Sequence, residues 1–298
     1  NYDADYMLVT IPTDQLYPVM DLKANTRWRF SFDKIINGQN LFSKFIKSIS
    51  TETFWRLEEN SKEKDTKQIY LMNLSKFLND STTIRGSQLF QHDFNFFQNS
   101  SEFSLRFRFT QRKSLNQYSA GIDKGFFKER GIRVRFKLIP EITNQTEFTN
   151  QIDNLISPPS SNRARTVTKN DLTTDFSYRP YQNIEIGIKI QTGTSTDAFP
   201  STPTNVDMNS LMLRFNLSFE NFGRLRVEVE RTELISNNAF NIPFEITRGN
   251  VVGKNYFWRA FFDYKIASYI QTSLNYDARL QGNSRVIHTM RAEAKAYF

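Results

Sequence analysis

The last forty-five residues, Lys254 to Phe298, alternate apolar and polar side chains so regularly that only β-strands can use them. Tyr256, Trp258, Ala260, Phe262, Tyr264 and Ile266 fall on one side of a first run, and Arg259, Asp263 and Lys265 on the other. Ile270, Leu274, Tyr276, Ala278 and Leu280 oppose Gln271, Asn275, Asp277 and Arg279 in a second. Val286, Met290, Ala292, Ala294, Ala296 and Phe298 oppose Arg285, Thr289, Arg291, Glu293 and Lys295 in a third. Successive side chains of a strand leave opposite faces, so a period of two means strand.

Such strands fit a soluble sandwich or a membrane barrel. Two features favour the membrane. The runs reach the roughly 9–11 residues that a tilted spanning strand needs, against about 5–6 for an ordinary strand. Aromatics also sit near the ends of the apolar faces, as an interfacial girdle requires. Slipping the three strands by one residue would turn Arg259, Lys265, Arg279, Arg291 and Lys295 to lipid, at a cost on the order of 5–10 kcal/mol. The facing is therefore set by sequence.

Composition agrees. The 298 residues are 39% hydrophobic, and no run of eighteen apolar residues exists, which excludes helical spans. Barrel strands need apolar residues only at every second position. The 28 Phe suit an outer face against lipid. There is no Cys, so no disulfide and no thiolate metal site. The chain starts at Asn1 without a signal peptide, and is read as a mature form or the C-terminal piece of a longer chain. Net charge is +8, but the bases alternate with apolar residues and form no clustered patch, so nucleic acid is not expected as a partner.

Residues 1–25 are expected to be an N-terminal segment with one short strand over 5–11, and 26–298 a barrel. A strand from Arg27 to Phe32 precedes an amphipathic helix within 34–48, read as a cap on the periplasmic end. A strand at about 49–59 follows, with Thr53, Trp55 and Leu57 on one face, and residues 69–79 again have helical spacing. Strands follow near 90–96, 103–110, 131–142, 146–156, 169–178, 183–192, 208–220 and 224–235. The short connections at 98–100, 143–145, 179–182, 221–223 and 267–269 all fall on one side. The long ones at 60–84, 113–130, 157–168, 193–207 and 236–253 fall on the other, where only the short 281–284 connection is unusual. Outer-membrane barrels sort their turns this way, with the C-terminus at the periplasmic side. The count is thirteen strands, or fourteen with 5–11. Single-chain bacterial barrels are even-numbered, so about fourteen is expected, with twelve as the fallback.

Catalytic chemistry is not visible. His92 and His288 both fall on apolar faces, whereas a hydrolase triad needs its His turned to a polar site. No phosphate loop, zinc spacing or calcium loop appears, and neither cofactor nor metal site is expected. Glu228 and Glu230 share a face, but Arg224 and Arg226 alternate with them there. Arg106, Arg108, Arg133, Arg135, Lys137, Arg214, Arg224, Arg226, Arg259, Arg279 and Arg291 are expected to face the lumen. They either fill it with salt bridges to Glu228, Glu230, Asp263, Asp277 and Glu293 or favour anions in an open pore.

The terminal Arg291-Ala-Glu-Ala-Lys-Ala-Tyr-Phe298 resembles the closing β-signature of Gram-negative bacterial outer-membrane barrels, and the resemblance covers about 26–298. It implies that Met290, Ala292, Ala294, Ala296 and Phe298 form a signal read by the barrel-assembly machinery. Ala296 departs from the pattern, since many members carry an aromatic there. The resemblance implies an all-β antiparallel transmembrane barrel in the cell outer membrane, with short periplasmic turns and long outer loops. It would be a non-enzymatic passive pore, or a scaffold for a surface or envelope complex, with lipid, the assembly machinery and other envelope proteins as partners. The alternatives are the barrel portion of a larger transport or secretion assembly, or an outer-membrane hydrolase.

Overall fold

The computed structural model describes residues 18–298 apart from 35, 37, 39, 72, 162, 220, 221, 239–241 and 298. The expected strand at 5–11 and the terminal Phe298 lie outside the described residues. Thirteen strands form one sheet in strict chain order, every neighbour antiparallel. They are β1 (Met20–Ser31), β2 (Ile49–Ser61), β3 (Thr83–Phe96), β4 (Phe103–Tyr118), β5 (Gly121–Ile139), β6 (Ile142–Ile156) and β7 (Arg165–Tyr181). Then come β8 (Ile184–Asp197), β9 (Thr204–Phe219), β10 (Gly223–Ser236), β11 (Gly253–Ala267), β12 (Ile270–Gln281) and β13 (Ile287–Ala296). The short helices are α1 (Leu41–Lys47), α2 (Thr66–Tyr70) and α3 (Phe244–Thr247). Among the described residues, β1 and β13 each pair on one side only.

Every strand uses its alternation in the same sense. Directly paired residues share a face, so the register carries one apolar stripe across the whole sheet. Phe107 pairs with Ile132 and Phe94, Ile188 with Leu213, and Leu213 with Val229. No second layer covers these side chains. Trp28 is 68% exposed, Leu213 50% and Met290 67%. A soluble sandwich buries this face against a second sheet. Here the buried apolar residues form only two small clusters at the loop end of the sheet. An apolar face this extensive, left uncovered, belongs against lipid. The sheet is the wall of a transmembrane barrel of the outer-membrane type, and the outer membrane is where such a wall resides.

Three details differ from the expected layout. First, β1 begins at Met20 rather than Arg27 and runs through the 25/26 boundary. Second, residues 113–130 are not an excursion: β4 and β5 continue to a tight turn at Ser119-Ala120. Gly121 follows it with φ +138°, a conformation that glycine tolerates. The side chains there are polar because these long strands rise beyond the hydrocarbon. β5, at 19 residues, far exceeds the span of about 9–11. Third, the helical spacing at 69–79 yields only α2 and a 3-10 turn, because Asp65 and Asn73 accept from the backbone N–H groups of Gln68 and Ser75 and restart the chain locally. On the periplasmic side, α1 occupies the long β1–β2 connection, with Phe45 packed against Phe96 and Phe97.

Close approach governs one glycine. A Cβ at Gly223 would overlap the Asp263 carbonyl oxygen and crowd Tyr264 Cα of β11, whereas one at Gly131 meets only ordinary contacts, the nearest at 3.6 Å. Gly223→Ala is therefore expected to cost about 1–3 kcal/mol, and Gly131→Ala to be neutral or stabilising. The urea midpoint of the heat-modifiable folded form checks both.

Candidate functional site

The face opposite the lipid stripe carries the charge. The pairing register places Arg106, Arg108, Arg133, Arg135, Lys137, Arg214, Arg224, Arg226, Arg259, Arg279 and Arg291 all on this one polar face. Arg108 makes a two-pronged pair with Asp93, both bonds 2.7 Å. Arg133 grips Glu147 across the β5–β6 ladder at 2.7 Å, and Arg214 sits between Asp175 at 3.4 Å and Glu185 at 3.3 Å. Arg226 donates to Glu228, and Arg259 bridges Glu228 at 3.2 Å and Glu230 at 3.0 Å. Arg291 pairs with Glu293. The fork of an arginine guanidinium suits two carboxylate oxygens at once.

The remaining bases have other company. Arg106 lies directly across the ladder from Arg133, two like charges side by side. Arg135 donates to the Ser100 carbonyl oxygen, and Arg224 lies 5.1 Å over the Phe261 ring. Among the described residues, Arg106, Arg135, Lys137, Arg224 and Arg279 have no carboxylate partner. The face thus combines an ion-paired lattice with an uncompensated positive remainder.

Sequence reading anticipated Glu228, Glu230 and Glu293 as partners, and also Asp263 and Asp277, which make no ion pair among the described residues. It missed Asp93, Glu147, Asp175 and Glu185, and Glu52, which Arg29 meets at 3.0 Å. Their alternation phase was a usable signal, since each falls opposite an apolar stripe. Which base each one meets depends on register between strands, which no single segment encodes.

Two loops fold back over the loop end of the polar face. In the connection of 237–252, Ile246 of α3 is 1% exposed and packs on Val167, Val206, Met208 and Leu234, all on that face. Arg248 then donates to Asp171 at 2.6 Å, and Glu245 meets Arg165 at 3.1 Å. In the connection of 157–164, Arg163 reaches Asp123 at 2.5 Å. Between the two loops lies a cleft of about 1030 Å³ lined by Pro158, Arg163, Arg165, Asp197, Pro243 and Glu245. Ile246, with Ile242 packed beside it, and two ion pairs thus hold α3 against the polar face.

The histidines sit on the opposite, apolar face. His92 Nδ1 is 2.9 Å from Thr53 Oγ1, and His288 Nδ1 is 2.8 Å from the Tyr276 hydroxyl. Met290, Ala292, Ala294 and Ala296 share one face of β13, continuous with the lipid stripe through Tyr276 and Leu274.

No family model matches the sequence, and no curated protein matches it. Among solved structures, the chain is similar to the open form of the ferric-catecholate import receptor Fiu from E. coli K12. The TM-score is 0.49 at 10% identity, over 93% of this chain and 57% of that one. The closed form of Fiu gives a TM-score of 0.48 at 10% identity, over 87% and 49%. The chain thus spans about half the length of these receptors.

The α3 anchor is testable. Ile246→Ala removes a buried apolar side chain at about 2–5 kcal/mol, and local unfolding of the loop is the cheapest response. Tryptic cleavage after Arg248 is expected to accelerate at least about tenfold, while the strands stay protected. Mass spectrometry of the digest reads the site.

Proposed function

We propose that this chain is the wall of an outer-membrane transport barrel, and one portion of a larger barrel rather than a complete passive pore. The observation that carries this reading is that, among the described residues, β1 and β13 each pair on one side only. In hydrocarbon each unsatisfied backbone polar group costs several kcal/mol. β1 and β13, of 12 and 10 residues, each turn alternate residues' N–H and C=O groups outward. The total cost of leaving them bare exceeds a typical domain's entire stability of about 5–15 kcal/mol. Among the described residues the count is thirteen, and an even-numbered barrel asks for further strands to close these edges.

The polar face then lines the lumen, with its eleven bases in the roles described. The face of β13 carrying Met290, Ala292, Ala294 and Ala296, with Phe298 beyond it, serves as the signal for the barrel-assembly machinery. Residues 1–25 and 26–298 remain the proposed division of the chain, with β1 crossing it. The mouth, with α3 held inside, is where a transported solute or an envelope partner first meets the protein.

A second reading is a self-contained pore that favours anions. The bases without carboxylate partners support it, since excess positive charge along a pore selects for anions. Conductance separates the two. On the larger-barrel reading, residues 1–298 inserted alone into a planar bilayer are expected to give no uniform unit conductance. Uniform, anion-selective steps would overturn the larger-barrel reading and establish the pore.

A further inference from the structure

Three cations stand where the lipid stripe should be neutral. Lys113 on β4 and Lys128 and Arg130 on β5 lie on the apolar face, in phase with Phe107, Phe109 and Ile132. Gln111 pairs with Lys128 and Phe109 with Arg130, so Lys113 is diagonal to Lys128 and all three cations are neighbours. Lys128 Nζ lies 5.9 Å over the Phe109 ring. Among the described residues, none of the three has a carboxylate partner. The other cations of this face stand beside carboxylates. Lys124 pairs with Asp80, Arg231 with Glu233 at 3.1 Å, and Lys254 faces Glu233 across the ladder.

Their height is fixed by what lies along β5. Ile132, Val134, Phe136 and Leu138 follow Arg130 on the same face toward the periplasmic turn, so the cations begin where the apolar run stops. A base on the lipid face is tolerated there and not at the midplane. Immediately alongside is a cleft of about 600 Å³ lined by Arg130 with Phe107, Phe109, Ile132 and Phe148. A positive rim over an apolar slot matches an amphiphile with an anionic head and an acyl tail.

We propose that Lys113, Lys128 and Arg130 form a binding site for a lipid of the outer leaflet whose phosphate-bearing head is net anionic, with one acyl chain in the Phe107–Phe148 cleft. The lipid phosphate supplies the counter-ion that the protein omits on this face. The site depends on the outward facing of the stripe, not on whether further strands complete the wall, so it stands or falls separately from the larger-barrel reading.

The test uses the full natural protein, delipidated and exchanged into micelles with equal phosphatidylglycerol and phosphatidylcholine, with retained lipid counted by native mass spectrometry. The wild type is expected to retain phosphatidylglycerol at least about tenfold over phosphatidylcholine, since each basic residue near an anionic surface contributes roughly that order of attraction. K113Q/K128Q/R130Q is expected to lose the preference, and the loop control K64Q/K67Q to keep it. Should the triple variant fail to fold by heat-modifiable migration, K128Q and R130Q singly are each expected to lower the preference by about two- to fivefold. Absence of preference in the wild type, or its persistence in the folded variants, would overturn the proposal. Displacement of the lipid by inorganic phosphate would also do so, by assigning the cluster to a free anion.

Discussion

A sheet one layer thick has no core to hold it, so its stability depends on the hydrogen-bond ladder between neighbouring strands and on what covers each face. In water this sheet would expose an apolar stripe across all thirteen strands and leave only two small buried clusters. Against acyl chains the same stripe is satisfied without a second layer, and the ladder strengthens because no water competes for it. The requirement then passes to the edges and to the polar face. The edges must be paired, and the bases on the polar face must find carboxylates or solvent.

The polar face meets its requirement unevenly. Arg108, Arg133 and Arg259 each tie two adjacent strands together, and Arg214 ties three, from β7 to β9. Isolated pairs of this exposure contribute little, about 0–1 kcal/mol each, so their main effect is to fix register and stiffen the wall. At the mouth the same chemistry does something different. Arg248 and Glu245 bring a loop segment inward and dock it on the wall, with Ile246 as the apolar pin.

Much of this was legible in the sequence. Period-two alternation located all thirteen of the described strands at least in part and gave each its facing, because the face of a strand residue follows from counting alone. The sorting of short and long connections gave the sidedness. What escaped was everything set between strands or outside hydrocarbon. The upper halves of β4 and β5 looked like a loop because Gln111, Lys113, Lys124 and Lys128 are polar, yet strands beyond the membrane need no apolar stripe. The start of β1 was hidden because Met20, Leu22 and Ala24 alternate with a weak contrast. The acids that pair with the bases were visible as residues but not as partners. The docking of α3 rests on Ile246 with Ile242 beside it and on two ion pairs, signals too slight to separate from other loop side chains.

The outward facing of the apolar stripe can be read directly on β9. Single cysteines at Leu211, Met212, Leu213, Arg214 and Phe215, each carrying an environment-sensitive fluorophore, are placed in bilayers whose acyl chains bear bromine. Quenching at 211, 213 and 215 with none at 212 and 214 is the expected pattern. Uniform quenching, or the inverse alternation, would contradict the assignment of this face to lipid.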